Sequence, residues 1–220
     1  MERALVIGAS GGIGSALAAA LEARGADVAR LARSADGFEV TDEASVAAAL
    51  GALEGPFDLI LVATGALVVD GHEPEKAIRA ITAEGLIGQL KVNAVGPALV
   101  LKHALRLLPR DRRCAFAALS ARVGSIGDNR LGGWHSYRAA KAALNQILHG
   151  AAVETARTHP GLVVLALHPG TVATRFTEGR GSGDKLSPAA AAGKLLAVID
   201  GARREMSGGF YDQDGRAIPW

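Results

Sequence analysis

A phenol and an ammonium stand four residues apart in Tyr137-Arg138-Ala139-Ala140-Lys141. On a helix that spacing puts both groups on one face. A cation beside a phenol stabilises phenolate and lowers its pKa, which suits proton exchange with a carbonyl or alcohol oxygen near neutral pH. The pair alone also occurs by chance on solvated helix faces, so its meaning depends on what accompanies it. Gly8-Ala9-Ser10-Gly11-Gly12-Ile13-Gly14 lies between strand-like Ala4–Ile7 and an Ala-rich helix. Glycines at such a junction allow a tight turn and bring backbone N–H groups close to a pyrophosphate at the helix N-terminus.

Two further positions carry a physical argument. The second strand closes on Leu31-Ala32-Arg33-Ser34, where sites preferring NAD place a carboxylate for the ribose diol. Arg33 suits a 2′-phosphate instead, through charge-assisted hydrogen bonds. The expected cofactor is NADP, with NAD less favoured; the plainer reading of Arg33 is an exposed arginine after a strand. Asn93 lies in a helical stretch with Pro97 four residues on. Proline has no N–H to offer the carbonyl at i−4, so the backbone carbonyl of Asn93 is expected to be free.

Gly8, Gly12 and Gly14, Asn93, Tyr137 and Lys141, and Pro169-Gly170 together resemble the short-chain dehydrogenase/reductase family along nearly the whole sequence. Gly208-Gly209-Phe210-Tyr211-Asp212 and the stretch Asp128–Trp134 are similar to its carbonyl-reductase and C-factor-like branch. The resemblance implies that Tyr137 is the general acid in reduction and the base in oxidation. It implies that Lys141 holds the nicotinamide ribose and depresses the Tyr137 pKa, and that the Asn93 carbonyl holds a water linking the lysine to solvent. Glu39-Val40 falls where the family has Asp and an apolar residue beside the adenine. Pro169-Gly170-Thr171-Val172-Ala173-Thr174 matches the loop around the nicotinamide carboxamide and pyrophosphate. The implied reaction moves hydride between NADP and a small carbonyl or alcohol, in a homodimer or homotetramer.

The pattern breaks twice. The family's Asn-Asn-Ala-Gly after the fourth strand is Val62-Ala63-Thr64-Gly65 here; Gly65 still permits close approach, but two side-chain amides are missing. Its Ser-Ser-x-x-Gly is Ser120-Ala121-Arg122-Val123-Gly124, with Ala121 where the catalytic serine belongs. Either Ser120 takes that role through a local shift, or Ser125 reaches in, or no serine does; Ser120 is the expectation. Ala121 also supports a rival reading, a non-catalytic NADP-binding sensor or signalling protein. Trp134 is read equally as core or pocket lining, His135 as solvated or structural, and His168 as a strand-end residue near the cofactor loop. Phe176–Ser187, rich in Gly and charge, is expected to be a mobile lid over an open pocket.

The elements that must hold these residues follow from the apolar pattern. Strands are expected at Ala4–Ile7, Asp27–Leu31, Phe38–Val40, Asp58–Ala63, Ala115–Leu119, Leu162–Leu167 and Gly209–Tyr211. Helices are expected around 13–24, 43–53, 75–82, 84–108, 136–158 and 187–202. Runs without polar alternation predict parallel strands covered on both faces, so the fold class is α/β, a doubly wound Rossmann sheet of about seven strands. One domain over residues 1–220 is expected, with the substrate site inside it.

A net charge of +2, spread without basic runs, argues against nucleic acid or an anionic membrane as partner. Cys114 is alone and reads as a buried small hydrophobe, and no ligand spacing suggests a metal. No G-x-S-x-G elbow supports a hydrolase. The apolar stretch Leu59–Val69 is too short to span a bilayer, and Met1-Glu2-Arg3 leads straight into a strand without a secretory leader, so a cytoplasmic location is expected.

Overall fold

A computed structural model describes residues 1–179 and 184–220. β1 (Arg3–Ile7), β2 (Asp27–Leu31), β3 (Leu59–Val62), β4 (Cys114–Leu119), β5 (Leu162–His168) and β6 (Gly209–Asp212) form one parallel sheet in the order β2-β1-β3-β4-β5-β6. The helices are α1 (Gly12–Ala23), α2 (Arg33–Asp36), α3 (Glu43–Gly51), α4 (Ala83–Leu90), α5 (Gly96–Ala104), α6 (His135–Thr155) and α7 (Pro188–Gly201). Every residue of β3 and β4 is buried, because both faces are covered. Leu5, Ile60, Phe116 and Val164 meet α3, α5 and α6 on one face; Val6, Leu61, Ala117 and Leu165 meet α1 and α7 on the other. The polypeptide leaves β1 for β2 on one side and returns to β3 on the other, which opens a crevice beyond their C-terminal ends.

Among the described residues there are six strands, and the expected strand at Phe38–Val40 is the one missing. Its apolar signal comes from anchoring: Phe38 and Val40 are buried in the core, but the backbone between them is tied locally. Glu39 N donates to Ser45 Oγ at 3.0 Å, and the Glu39 carboxylate accepts from Thr41 N at 3.1 Å. β2 is therefore a sheet edge, carrying Asp27 and Arg30 in ion pairs with Arg3 and Glu22.

Two helices also differ from expectation. The segment 75–82 forms only a 3₁₀ turn at Ile78–Ala80, since Thr82 accepts from Gly85 N and starts α4 there. The stretch 84–108 is interrupted by a π turn at Lys91–Val95, where Gly96 N donates to Lys91 O. Pro97, with no N–H to give, lies just beyond it.

Gly14 fixes how closely α1 meets β1. A Cβ there would lie 2.2 Å from Gly8 O and 3.3 Å from the Ala63 methyl. Gly14→Ala is expected to destabilise the protein by roughly 1–3 kcal/mol through this overlap with rigid backbone. A lowered urea midpoint would show it; an unchanged midpoint would mean the turn yields freely.

Candidate active site

The turn after β1 is built to approach a ligand closely. Gly8, at φ +86°, and Ala9 both donate to Leu31 O, at 2.8 and 3.2 Å. Gly11 N donates to Gly8 O at 3.0 Å, and α1 begins at the next residue. α1 lacks a capping side chain and its first turn holds no acid, so the N–H groups of Gly12, Ile13 and Gly14 point into the crevice unneutralised. Ser10 and Gly11 are exposed beside them. A Cβ on Gly12 would come 2.6 Å from Thr174 Cγ2, so the loop after β5 closes directly over the turn.

At the end of β2, Arg33 is largely exposed and its Nη1 stands 4.0 Å from Glu39 Oε2; Ser34 is exposed beside it. Hydrogen bonds from Thr41 hold the Glu39 carboxyl below its usual range, with Arg33 adding to the effect. Val40 packs on α5, where a Cβ on Gly96 would reach 2.9 Å from Val40 Cγ2. Pro169 and Gly170 follow β5, and Gly170 takes φ +77° beside Gln213 and Leu186. Val172 is buried and bridges to Leu186. Of the segment expected to be a lid, residues 180–183 lie outside the described residues. Its described ends are tied down: Leu186 N donates to Thr171 O at 2.9 Å, and Lys185 Nζ to Thr177 O at 2.5 Å.

Ala63-Thr64-Gly65 brings three of the expected residues together. A Cβ on Gly65 would lie 3.0 Å from Asn93 Oδ1 and 3.6 Å from Lys141 Nζ. Asn93 is fully buried, and its side chain pins this loop: Nδ2 donates to Ala66 O at 2.9 Å, and Oδ1 accepts from Ala66 N at 3.2 Å. Gln89, which carries no motif in the sequence, accepts from Asn93 at 2.7 Å and donates to Leu67 O at 2.8 Å. The Thr64 hydroxyl is buried without a partner among the described residues.

Lys141 Nζ donates to Leu119 O at 2.9 Å and lies 5.8 Å from the centre of the Tyr137 ring. Both residues are buried, and burial pushes the Tyr137 hydroxyl above an ordinary phenol and the Lys141 ammonium down to about 7. Burial is the cause of the upward direction at Tyr137, because removal from water disfavours the phenolate. The Tyr137 ring sits between Trp134 and Phe176, with centroids at 6.2 and 6.1 Å. Trp134 thus packs on the Tyr137 ring and is itself half-buried.

Both candidate serines have hydrogen-bond partners within the protein. Ser120 is buried, and its hydroxyl donates to Asn145 Oδ1 at 2.6 Å. Ser125 is buried, donates to Pro219 O and accepts from Asp128 N. Ala121 stands between β4 and the 3₁₀ turn at Arg122–Gly124. His168 faces Asp212 across β5 and β6, and burial, with Arg122 nearby, pushes it down to about 4. Cys114 is buried, and burial lifts its thiol to about 11, in keeping with a small hydrophobe.

A Gly-rich turn at the switch point of a parallel sheet, with a buried Tyr–Lys pair on α6, defines a doubly wound α/β fold with its crevice at the C-terminal ends of the strands. The family model for short chain dehydrogenase matches residues 2–185, and the protein belongs to that family. It is 32% identical over 236 residues to 1-hydroxy-2-glutathionyl-2-methyl-3-butene dehydrogenase of Rhodococcus sp. (strain AD45), a match that covers 100% of both proteins. Among solved structures it is similar to a short-chain dehydrogenase/reductase from Burkholderia multivorans with bound NADP: TM-score 0.83, 26% identity, covering 100% of this protein and 99% of that one. It shares the fold of carbonyl reductase Sniffer of D. melanogaster at TM-score 0.85 and 21% identity, with both proteins covered fully. Among the described residues no helix is long and apolar enough to cross a membrane.

Proposed function

We propose that this protein is an NADP-dependent reductase of small, mainly apolar carbonyl compounds, with Tyr137 as proton donor. The observation that carries the reading is the convergence of Lys141 Nζ and Asn93 Oδ1 on Gly65, with Lys141 on the same face of α6 as Tyr137. The crevice suits the cofactor: Gly12 and Gly14 leave no room for a Cβ, and the first turn of α1 is uncapped and free of acid. The N–H groups of Gly12, Ile13 and Gly14 would hold the pyrophosphate, with Gly8 and Gly11 setting the turn and Ser10 exposed beside it. Arg33 and Ser34 would hold the 2′-phosphate, Glu39 and Val40 the adenine side, and Ala63, Thr64 and Gly65 the adjoining ribose. Pro169, Gly170, Val172 and Thr174 would flank the nicotinamide end. When bound, the nicotinamide supplies the hydride that reduces the carbonyl carbon.

The protein's own residues perform the rest. Tyr137, kept protonated by burial, gives its proton to the carbonyl oxygen as that oxygen gains charge. Lys141 would hold the nicotinamide ribose hydroxyls and would offer positive charge to the phenolate left behind. The backbone carbonyl of Asn93, in the π turn ahead of Pro97, would hold a water through which the proton is replaced. Trp134 and Phe176 on either side of Tyr137 favour an aryl or unsaturated group next to the carbonyl.

The test is NADPH and NADH oxidation by the purified protein against a panel of aldehydes, ketones and diketones. NADPH is expected to be preferred. Arg33→Ala is expected to raise KM for NADPH about tenfold or more, by loss of a charge-assisted contact, and to leave KM for NADH within about twofold. Equal effects on both would remove Arg33 from the 2′-phosphate site. The engagement of Ser120 with Asn145, and of Ser125 with Pro219, supports a mechanism without a serine donor. It also favours a second reading, a non-catalytic NADP-binding sensor, which tight NADPH binding without turnover on any carbonyl would support.

A further inference from the structure

α6 begins without a cap of its own. Trp134, its N-cap residue, is in the left-handed region at φ +53°, its side chain makes no capping hydrogen bond, and the first turn contains no acid. The orphan N–H of Ser136 is instead taken by Glu75, sixty-one residues earlier in the sequence, whose Oε2 accepts it at 3.1 Å. The other carboxylate oxygen accepts from the Ser136 hydroxyl, and the Glu75 backbone carbonyl accepts from Trp134 N. A Cβ on Gly133 would lie 3.4 Å from that same carbonyl, so backbone and side chain of Glu75 together grip residues 133–136. Glu75 and Ser136 are both buried. From the far side of the turn, Arg138 donates to Gly133 O at 2.9 Å and to Val123 O at 3.1 Å. Tyr137 is the residue enclosed between these two clamps.

We propose that Glu75 is a positioning residue for Tyr137, capping α6 from the loop after β3 and so fixing where the phenol meets substrate. The inference rests on the reading of Tyr137 as proton donor. It joins two parts of the candidate site, since the segment between β3 and α4 carries Gly65 and Ala66 and also the cap of the Tyr137 helix. A phenol displaced by a fraction of a bond length delivers its proton poorly, while a ligand held by the β1 turn is unaffected.

The experiment compares Glu75→Ala, Glu75→Gln and Ser136→Ala with native protein, using NADPH and phenanthrenequinone as the carbonyl probe. Glu75→Ala is expected to lower kcat about tenfold or more while the NADPH Kd stays within about threefold. It should also speed hydrogen exchange in the segment 134–140 alone. Glu75→Gln can still accept from Ser136 N and donate to its hydroxyl, so it should restore kcat to within about threefold of native. Ser136→Ala keeps the backbone bond and should fall between them. Unchanged exchange in 134–140, or native kcat in Glu75→Ala, would overturn the inference. So would equal losses of kcat and NADPH affinity in both Glu75 variants. Tyr137→Phe in the same assay separates the two ideas: native turnover there would remove Tyr137 from the chemistry, and the exchange measurement would still decide what Glu75 holds.

Discussion

Tyr137→Phe is expected to lower kcat for carbonyl reduction by roughly 100- to 10,000-fold, the range contributed by a positioned general acid. NADPH affinity should stay within about twofold, because the expected cofactor contacts come from the β1 turn, Arg33 and Lys141. The ring remains, and with it the packing between Trp134 and Phe176. Only the hydroxyl is removed, so thermal stability should hold or rise slightly. Parallel measurement of kcat and NADPH Kd checks this. A variant that turns over within a few-fold of native would show that protonation comes from elsewhere, and a variant that loses NADPH binding would show that the phenol serves the cofactor.

Lys141→Met should move activity and stability in opposite directions. Lys141 is buried, with Leu119 O as its hydrogen-bond partner, and burial holds its ammonium near pKa 7. Methionine fills similar space without a charge, so removing the ammonium should stabilise the protein at neutral pH and below. The pH dependence follows from which state binds the proton. The unfolded lysine titrates near pH ~10.4, so above about pH 7 the unfolded polypeptide carries a proton that the folded one has released. Native stability therefore gains from this group as pH rises from about 7, whereas Lys141→Met lacks that rise. Urea midpoints of both proteins at about pH 6.5 and about pH 8.5 read the difference, largest at the lower pH. Turnover should fall about 100-fold or more, through loss of the charge that stabilises the phenolate. A methionine variant less stable than native at the lower pH would show that the buried ammonium is a net stabiliser.

The parts of the site visible in the sequence are those set by local spacing. The glycines of the β1 turn, the Tyr137–Lys141 face and the break before Pro97 each depend on a few adjacent residues, and each lies in the expected element. Residues brought together by the fold are hidden. Glu75 reaches Ser136 from a distant loop, and Gln89 braces Asn93 from a preceding turn of helix. The destination of the Ser120 hydroxyl depends on a rotamer and on Asn145, neither visible as a motif. Phe38–Val40 reads as a strand because a buried loop and a covered strand both require apolar side chains; the hydrogen bonds of Glu39 separate them. The direction of the Tyr137 shift depends on burial, which spacing on a helix does not reveal.

Hydride transfer from NADPH to a carbonyl carbon can be followed by the isotope it would carry. NADPH deuterated at the transferable position of the nicotinamide would be incubated with the protein and a carbonyl compound that it consumes, and the alcohol analysed by mass spectrometry. One deuterium is expected on the carbinol carbon, transferred by the native protein and roughly 100-fold or more slowly by Tyr137→Phe. Tight NADPH binding with no labelled alcohol from any carbonyl in the panel would contradict the reductase reading.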